Sequence, residues 1–441
     1  MSKNIAVIGT GYVGLVTGVG LADFGNYVTC VDKDKSKIQK LKKGITPIYE
    51  PDIEEYLHRN IDSGRLKFTT DISKAIKENE VIFIAVGTPS NDDGNADLSA
   101  VSEVVQLISE NLNSYKVIVT KSTVPIGTNR WINGQIKQKA KDKMFDIVSN
   151  PEFLREGKAV YDFFHPDRIV IGTESEKARE IMKEIYRPLY LIQTPFVFTN
   201  IETAEMIKYA ANSFLAMKIT FINEVANLCE KVGADVHDVA KALGMDGRIS
   251  PKFLHPGPGY GGSCFPKDTK AFAYIARQYK SPLSLVETVI KANEQQKLLM
   301  VRKIRRLGGG NLNNKTIGVL GLAFKQNTDD MRDSPAITII NELLKEGAIV
   351  QVYDPQAMGN AKKIFGNRVE YCKNEYEAAK NSDILVIVTD WNQFRGLDLQ
   401  RIKKLMRKPV IADLRNLLDP EEVIQDGFEY EGTGRVVTIA K

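Results

Sequence analysis

The chain has 441 residues, of which 43% are hydrophobic and 26% charged, with 60 Lys and Arg against 55 Asp and Glu. This composition is typical of a globular protein with buried cores, and it excludes a disordered or collagen-like chain. The length predicts two or three domains, and a net charge of +5 over this length does not indicate nucleic-acid binding.

The spacing of cysteine and histidine argues against a metal site and against disulfides. The four cysteines form no Cys-x-x-Cys pair, and the four histidines are equally scattered. We therefore expect no zinc site, no disulfide framework and a reduced, cytoplasmic location. The uncharged stretch 5–22 resembles a signal peptide or a membrane helix in length, but its glycines would break such a helix, so we expect no membrane partner.

The first thirty residues predict a strand, a helix and a second strand. Residues 4–9 (NIAVIG) and 27–31 (YVTCV) are rich in β-branched residues, and the stretch 15–24 between them can be helical. Apolar strands follow at 81–87 and 116–122. Near-continuous apolar strands of this kind belong to a parallel sheet that is covered on both faces.

A long helix is predicted from residue 201 to about residue 232. Its apolar residues recur at spacings of three and four, which predicts one buried stripe. The stripe consists of Met206, Ala210, Phe214, Met217, Phe221, Val225 and Leu228. Further helices are expected to about residue 307, and the GGGN sequence at 308–311 then indicates a linker.

After this linker the opening pattern recurs. Four segments resemble the strands of the N-terminal half in the same order: 316–325, 350–354, 382–391 and 408–414. The predicted fold class is α/β, with two Rossmann-like doubly wound domains joined by a central long-helix connector. The predicted domains are 1–200, 201–307 and 311–441.

The GTGYVG sequence at 9–14 lies between the first predicted strand and the first helix. Its first glycine allows a tight turn, the second lets a pyrophosphate approach, and the third allows close helix packing. Asp32 follows the second strand, where a carboxylate can accept hydrogen bonds from ribose hydroxyls and repel a 2′-phosphate. We predict a dinucleotide site that prefers NAD over NADP, although Lys33 and Lys37 are cations that could accommodate a phosphate.

A second glycine-rich stretch, PGPGYGGSCFPKD at 256–268, runs into a predicted helix. Cys264 stands just before that helix, where the helix dipole and Lys267 should lower the pKa of the thiol and favour a nucleophilic thiolate. The alternative is a small buried cysteine in a structural turn, which is the commoner case. We favour the nucleophile, because the four glycines at 257, 259, 261 and 262 would let a ligand reach the backbone.

Two further groups have an unremarkable interpretation when they are taken alone. Lys208 and Asn212 are four residues apart on the long helix, and the face they share is expected to be solvated. The NPEFLREG sequence at 150–157 carries Glu152 and Glu156 near the end of the first domain, and its alternative is a capped turn with surface charges.

Seven motifs together resemble the UDP-glucose 6-dehydrogenase family of nucleotide-sugar dehydrogenases, and the resemblance covers the whole chain. They are GTGYVG, YEP at 49–51, KSTVP at 121–125, NPEFLREG, AEMIKYAANSFLA, GYGGSCFPKD and LAFKQNTDDMRDSPA. The resemblance implies NAD-dependent oxidation of a sugar C6 alcohol to a carboxylate in two hydride transfers. It also implies that the C-terminal domain binds the UDP part of the substrate.

The resemblance implies roles for named side chains. The catalytic residues would be Cys264, Lys208, Asp268, Asn212, Thr123 and Glu152. The cysteine would add to the C6 aldehyde and carry first a thiohemiacetal and then a thioester. The lysine and the aspartate would stabilise the oxyanion and move protons, the asparagine would donate a hydrogen bond, and the threonine and glutamate would act through a bound water. Which group is the base in each step stays open.

The same resemblance implies binding residues and an oligomer. The cofactor contacts would be Gly9, Gly11, Tyr12, Val13, Gly14, Asp32, Lys37, Thr88, Thr123, Glu156, Lys267 and Arg332. The substrate contacts would be Glu152, Phe153, Leu154, Arg155, Glu156, Lys208, Asn212, Arg248, Phe253, Leu254, His255, Pro256, Gly257, Gly261 and Lys325. The arginine at 248 would reach the substrate of a neighbouring subunit, which implies a homodimer built on the long helix.

Three alternatives remain at this point. Ser263 and the GRISPKFL sequence at 247–254 favour UDP-glucose, whereas the branch that oxidises N-acetylated sugars commonly has His before the cysteine; a GDP-mannose enzyme is the other close alternative. From a different class, the chain could be a non-catalytic NAD-binding sensor or scaffold that has kept the fold. Cys264, Lys208 and Asp268 argue against such a loss of activity.

Overall fold

Two β-sheets organise the chain in this computed structural model, which describes residues 2–91, 93–140 and 144–435. The chain forms two units, one made of Met1–Ala211 and Tyr274–Ser281 and the other of Asn212–Ala273 and Pro282–Lys441. The three domain boundaries predicted from the sequence stay a prediction. The last six residues of the predicted C-terminal domain lie outside the described residues.

The first unit contains an eight-stranded sheet. Its strands are β1 (Asn4–Ile8), β2 (Tyr27–Val31), β3 (Leu66–Thr69), β4 (Val81–Ile84), β5 (Lys116–Thr120), β6 (Phe145–Ser149), β7 (Ile169–Gly172) and β8 (Phe196–Thr199). The strand order is β3-β2-β1-β4-β5-β6-β7-β8. All neighbours pair parallel except β6 and β7, which meet antiparallel.

Helices cover both faces of this sheet. They are α1 (Tyr12–Asp23), α2 (Lys35–Lys42), α3 (Ile53–Asp62), α4 (Ile72–Glu78), α5 (Ser99–Asn111), α6 (Thr128–Ala140), α7 (Ala159–Phe164) and α8 (Glu176–Ile185), followed by a 3₁₀ helix (Arg187–Ile192). Along β1, Ile5 and Val7 pack into one core while Ala6 and Ile8 pack into another. Successive side chains of a strand point to opposite faces, so a strand buried on both faces has to be apolar throughout.

Four helices follow the first sheet: α9 (Ile201–Val232), α10 (Val236–Met245), α11 (Phe265–Gln278) and α12 (Ser284–Leu307). The stripe of α9 that the sequence predicts as buried is largely exposed in the single chain. Phe214 is 59% exposed, Phe221 51% and Leu228 58%. The predicted GGGN linker is an ordered helix end, since the backbone N–H groups of Gly308, Gly309 and Gly310 donate to carbonyls of the last turn of α12.

The second unit contains a six-stranded parallel sheet. Its strands are β9 (Thr316–Leu320), β10 (Ile349–Tyr353), β11 (Glu370–Tyr371), β12 (Ile384–Ile387), β13 (Val410–Asp413) and β14 (Glu429–Glu431). The helices are α13 (Pro335–Lys345), α14 (Met358–Phe365), α15 (Glu375–Ala379), α16 (Asn392–Arg395), α17 (Leu399–Leu405) and α18 (Pro420–Gln425). The strand order is β11-β10-β9-β12-β13-β14.

The two sheets share one topology. In each, the first strand pairs with the second on one side and with the fourth on the other, so the order reverses at β1/β4 and at β9/β12. Ligands of doubly wound folds bind at the carboxyl ends of the strands beside such a switch point. The predicted fold class, two Rossmann-like domains joined through a long helix, is confirmed. Among the described helices, none has the length and apolar character that a membrane crossing requires.

Candidate active site

The glycine-rich loop after β1 has the geometry that its sequence predicts. Gly9 has a φ of +102°, which favours glycine, and a Cβ at Gly14 would lie 1.8 Å from the carbonyl oxygen of Gly9. Gly11 instead precedes α1 in an ordinary extended conformation, and no atom of the described residues lies within 4 Å of where its Cβ would be. The first and third glycines therefore serve the turn and the helix packing, while the second leaves room at a helix N-terminus for a pyrophosphate.

Asp32 follows β2 directly and braces this loop. Its carboxylate accepts hydrogen bonds from the backbone N–H of Thr10 at 3.0 Å, from the Thr10 hydroxyl at 2.7 Å and from Lys37 Nζ at 3.1 Å. Partial burial alone would raise the pKa of Asp32, but these hydrogen bonds lower it to about 2. The carboxylate is therefore ionised at neutral pH, beside the open position at Gly11.

Lys33 and Lys37, the cations that could accommodate the 2′-phosphate of NADP, each pair with a carboxylate. Lys37 pairs with Asp32 at 3.1 Å, and Lys33 pairs with Glu103 at 3.2 Å. A cation already bound to a carboxylate is a weaker partner for a 2′-phosphate, which favours NAD. Two further predicted cofactor residues lie together, because the Thr88 hydroxyl donates to the carbonyl oxygen of Thr123 at 2.8 Å.

Glu152 and Lys208 form a buried ion pair in the first unit. The Lys208 Nζ atom lies 3.0 Å from Glu152 Oε1, and the side chains are 4% and 5% exposed. The second oxygen of Glu152 accepts the backbone N–H of Leu154 at 2.5 Å. The solvated face expected for the lysine and the surface charge expected for the glutamate are therefore both wrong, and a buried pair with these chemistries can hold and move a proton.

A residue that the sequence analysis did not single out lies beside this pair. Lys121 follows β5, and its Nζ donates to Asn150 Oδ1 at 3.0 Å and to the Tyr186 hydroxyl at 3.3 Å. Burial lowers the pKa of Lys121 to about 8, while the charge of Glu152 acts in the opposite direction and that of Lys208 lowers it further. Lys121 is part of the KSTVP motif, but the resemblance implied a role only for the threonine of that motif.

The loop from 152 to 157 contributes aromatic and charged groups. The Phe153 ring lies 5.3 Å from Lys208 Nζ and 3.5 Å from the Arg168 guanidinium. Arg155 is bound to Asp162, with its Nη2 atom 2.6 Å from the carboxylate. The predicted substrate contact at this arginine would therefore involve a guanidinium whose direction a neighbouring carboxylate already fixes.

Cys264 stands directly before α11, as its sequence predicts. Its side chain is half-buried, its Sγ lies 3.5 Å from the Ser263 hydroxyl, and its carbonyl accepts the N–H of Asp268 at 2.8 Å. Thiols at helix N-termini tend to ionise more readily. The lower thiol pKa that we expect at this position stays a prediction.

Asp268 is fully buried one turn into α11. It accepts hydrogen bonds from Asn212 Nδ2 at 2.6 Å and from Lys267 Nζ at 2.6 Å. The expected solvated face is therefore also wrong for Asn212. In the second unit, the structure thus brings the amide of Asn212 on α9 to the carboxylate and the ammonium of Asp268 and Lys267 on α11, the helix that begins after the thiol.

Close packing and backbone conformation both favour glycine at the positions near the thiol. A Cβ at Gly261 would lie 2.5 Å from the Asp333 carbonyl oxygen, and Gly259 and Gly262 have φ values of +112° and +85°. A Cβ at Gly257 would come within 3.1 Å of Arg415. Protein atoms therefore crowd the Cβ positions of these glycines, and the expectation that the glycines let a ligand reach the backbone stays a prediction.

Side-chain amides from two helices hold this glycine-rich loop. Asn223 Oδ1 accepts the N–H of Gly257 at 2.8 Å, while Gln296 Nε2 donates to the carbonyl of the same residue at 2.9 Å. Asn293 binds both backbone groups of Tyr260, at 2.8 and 3.1 Å. Asparagine and glutamine on a predicted helix give no local signal for such a role, so sequence reasoning missed them.

The remaining predicted residues of the second unit lie in several places. Leu254 and Pro256 are buried, Phe253 packs 6.1 Å from the Phe265 ring, and His255 is exposed. Lys325 lies 5.4 Å from the Phe324 ring, and Arg332 binds Asp330 at 2.8 Å while its carbonyl accepts the N–H of Gly262.

Arg248 is exposed and pairs with an acidic neighbour in its own chain. Its side chain is 89% exposed and pairs with Asp246 at 2.6 Å. Over the described part of the chain, no three His, Cys, Asp or Glu side chains lie close enough together to hold a metal ion.

The chain matches the UDP-glucose/GDP-mannose dehydrogenase family in three domains. The NAD binding domain matches residues 3–190, the central domain residues 202–295 and the UDP binding domain residues 318–420.

Curated relatives are similar over their whole length. UDP-glucose 6-dehydrogenase of Rhizobium meliloti strain 1021 is 53% identical over 435 residues, which cover 98% of this chain and 99% of the relative. UDP-glucose 6-dehydrogenase TuaD of Bacillus subtilis strain 168 is 49% identical over 434 residues, or 98% and 93% of the two chains. A solved UDP-glucose dehydrogenase of Pyrobaculum islandicum superposes with a TM-score of 0.92 at 37% identity, covering 99% of this chain and 98% of the other.

Proposed function

The chain belongs to the UDP-glucose/GDP-mannose dehydrogenase family, and from this premise we propose that it oxidises the C6 alcohol of UDP-glucose to the carboxylate of UDP-glucuronate, with two NAD reduced per sugar. The observation that carries this function is Cys264 at the N-terminus of α11, one turn from the buried Asp268. A dinucleotide-binding sheet alone would not distinguish a four-electron oxidation from a two-electron one.

The first unit fits NAD. Gly11 leaves open the space that a Cβ would fill at the N-terminus of α1, and Asp32 is ionised beside it. When bound, NAD accepts a hydride from C6 in each of the two oxidations. We propose that Gly9, Gly14 and Tyr12 shape the pyrophosphate site and that Asp32 accepts hydrogen bonds from a ribose.

Cys264 makes the second oxidation feasible. The thiolate adds to the C6 aldehyde and forms a C–S bond, and the resulting alkoxide takes up a proton to give a thiohemiacetal. Loss of that proton and of a hydride gives a thioester, which water cleaves to the carboxylate and the thiol. Because the sugar stays covalently bound after the first oxidation, the aldehyde does not leave.

Buried polar groups would stabilise and move charge during these steps. We propose that the Lys208 ammonium stabilises the oxyanion at C6, since its partner Glu152 can accept a proton from it or from a water. Asp268 would hold Asn212 and Lys267 in fixed directions, because both donate to its carboxylate at 2.6 Å. Thr123, whose carbonyl is held by Thr88, completes the proposed set.

Incubation with UDP-glucose and NAD tests the function. We expect two NADH per UDP-glucose consumed and UDP-glucuronate as the product. A ratio of one, or no turnover with any nucleotide sugar, would contradict the proposal. A panel that includes GDP-mannose and UDP-N-acetylhexosamines, compared by kcat/KM, tests the substrate, because a site built for one base leaves polar groups unpaired with another.

We also propose a homodimer built on α9. Its exposed apolar side chains support this assembly, since Phe214, Phe221 and Leu228 would each lose water contact at an interface. In such a dimer, the exposed Arg248 would reach the partner's substrate. Light scattering should give twice the mass of the chain, and Phe221→Glu should give the monomer, whereas Met144→Glu, at a position that is 70% exposed elsewhere, should stay dimeric.

The proposed location is the cytoplasm. The four cysteines form no disulfide within the residues that the structure covers. Thiols that stay reduced are usual in that compartment.

A further inference from the structure

Glu50, the middle residue of the YEP motif, is a buried carboxylate to which the steps above assign no role. In the sequence, Glu50 lies between α2 and α3. It is only 6% exposed. Oε2 accepts the backbone N–H of Gly157 at 2.7 Å, and Oε1 accepts those of Ala159 at 2.6 Å and Val160 at 3.4 Å. One carboxylate therefore holds the chain where the 152–157 loop enters α7.

The N–H of Gly157 has a second acceptor. The Tyr12 hydroxyl accepts it at 2.7 Å, so that this N–H is shared between Tyr12 and Glu50. Tyr12 begins α1 within the glycine-rich loop, and Gly157 ends the loop that carries Glu152 and Glu156. Two loops with different predicted ligands thus meet at a single N–H group.

The carboxylate is well suited to this position. Gly157 has a φ of +76°, a left-handed conformation that favours glycine, and its N–H donates to side-chain acceptors. A carboxylate offers acceptors on both oxygens, and charge-assisted bonds to buried N–H groups are stronger than neutral ones. An amide in its place would turn an NH₂ group, which cannot accept, toward one of the N–H donors, and it would carry no charge.

We propose that Glu50 is a positioning residue that fixes the 152–157 loop to the glycine-rich loop, so that the affinities for cofactor and nucleotide sugar both depend on it. The part of this proposal that concerns the nucleotide sugar rests on the proposed function. The part that concerns the cofactor rests only on the Gly157 N–H that Glu50 shares with Tyr12.

The test compares Glu50→Gln with a matched control in the same unit. NAD and UDP-glucose are titrated separately by calorimetry, so that no turnover occurs. We expect both Kd values to rise about tenfold or more in Glu50→Gln, as when one charge-assisted hydrogen bond is lost. In steady state, both KM values should rise more than kcat falls, because Glu50 binds the backbone N–H groups of Gly157, Ala159 and Val160 and is argued to act through them.

Asp146→Asn is the control. Asp146 lies at the amino end of β6, where it accepts the Tyr115 hydroxyl at 2.6 Å and the Ser175 hydroxyl at 2.6 Å. Loss of these bonds should lower the Tm of the first unit while both Kd values stay unchanged. If Glu50→Gln does not fold, Glu50→Asp keeps the charge but cannot reach both Gly157 and Ala159, and the same loss of both affinities is expected.

Two results would overturn the proposal. A lower Tm with unchanged Kd values would make Glu50 a structural residue only. A weaker affinity for only one ligand would show that the two loops do not depend on a common support. If the wild type binds NAD but not UDP-glucose, the proposed function fails, and the NAD affinity of the Glu50 variants still decides whether this carboxylate controls the cofactor loop.

Discussion

The two sheets have the same strand order over their first six strands, yet the carboxylates at equivalent positions differ in what surrounds them. Asp32 follows β2 and accepts bonds from Thr10 and Lys37, beside the open position at Gly11. Asp354 follows β10 and is fully buried. Its two oxygens accept five N–H groups, at 2.7 to 3.1 Å, from Leu322, Ala323, Gln356, Ala357 and the Trp391 indole.

The loops before these carboxylates explain the difference. After β1, the second of three glycines leaves space at a helix N-terminus, whereas after β9 only Gly321 remains, and its Cβ would lie 2.4 Å from Thr389. The following Leu322 and Ala323 are buried and point their N–H groups at Asp354. Topology therefore provides the crevice, while the second and third glycines decide whether the carboxylate faces a ligand or closes its own loop.

The largest expected effect is a loss of catalysis without a loss of cofactor binding. Cys264→Ser should lower formation of the acid by about 1,000-fold or more, because a hydroxyl is a far weaker nucleophile than a thiolate. NAD affinity should stay unchanged, since the glycine-rich loop belongs to the other unit. Cys372→Ser is the control, because burial raises the pKa of that thiol to about 12 and makes it unreactive. Full activity of Cys264→Ser would contradict the proposed covalent mechanism.

The next effect tests whether open space at Gly11 defines the cofactor site. Gly11→Val should weaken NAD binding by about 100-fold, because the new side chain fills the space while the backbone conformation accepts it. Gly359→Val introduces the same side chain in the second half, at a position where no described atom lies within 4 Å of the Cβ. Calorimetry should show unchanged NAD affinity there. If Gly11→Val bound NAD as tightly as the wild type does, the cofactor would have to bind elsewhere.

Exchanging each carboxylate for an amide should separate affinity from stability. Asp354→Asn should lower the free energy of unfolding by about 2 kcal/mol and leave NAD affinity unchanged, because an amide cannot satisfy five donors. Asp32→Asn should weaken NAD binding about tenfold with a smaller loss of stability. Denaturant unfolding and calorimetry measure both. Equal losses of stability in the two variants would mean that the two carboxylates play one role.

The smallest effect concerns acid stability. Asp32 has a pKa of about 2 in the folded chain against an ordinary value of 3.8, so it contributes stability that is present above pH 4 and is lost as the pH falls toward 2. The contribution is at most about 2 kcal/mol. The difference in unfolding free energy between the wild type and Asp32→Asn should therefore shrink from pH 5 to pH 2. A constant difference would contradict the low pKa.

The features that the sequence predicts correctly depend on short-range patterns. Strand β4, the glycine-rich turn and the place of Cys264 before α11 follow from apolar runs, glycine spacing and helix starts within about thirty residues. The repeat of this pattern after residue 310 predicted the second sheet for the same reason. Such patterns report on backbone geometry and burial, so they give the fold and the loops at the ends of strands.

The features that were missed or wrong depend on partners far along the chain. Lys208 and Glu152 are 56 residues apart, and Asn293 meets Tyr260 across 33 residues. Each side chain is of a type usually found on the surface, so its burial follows only from its distant partner. The stripe on α9 failed for a related reason, since periodicity predicts an apolar face without saying whether the chain itself covers it.

The tightly packed glycines beside Cys264 also limit how this enzyme family can diversify. At 259 and 262 the backbone disfavours any side chain, and at 261 a Cβ would meet backbone 2.5 Å away. Most single substitutions there should remove the fold before they alter the preference for a sugar. New specificities would therefore have to arise from variable side chains around the loop, such as those at 253, 263 and 325, while the peptide that carries the nucleophile stays constant.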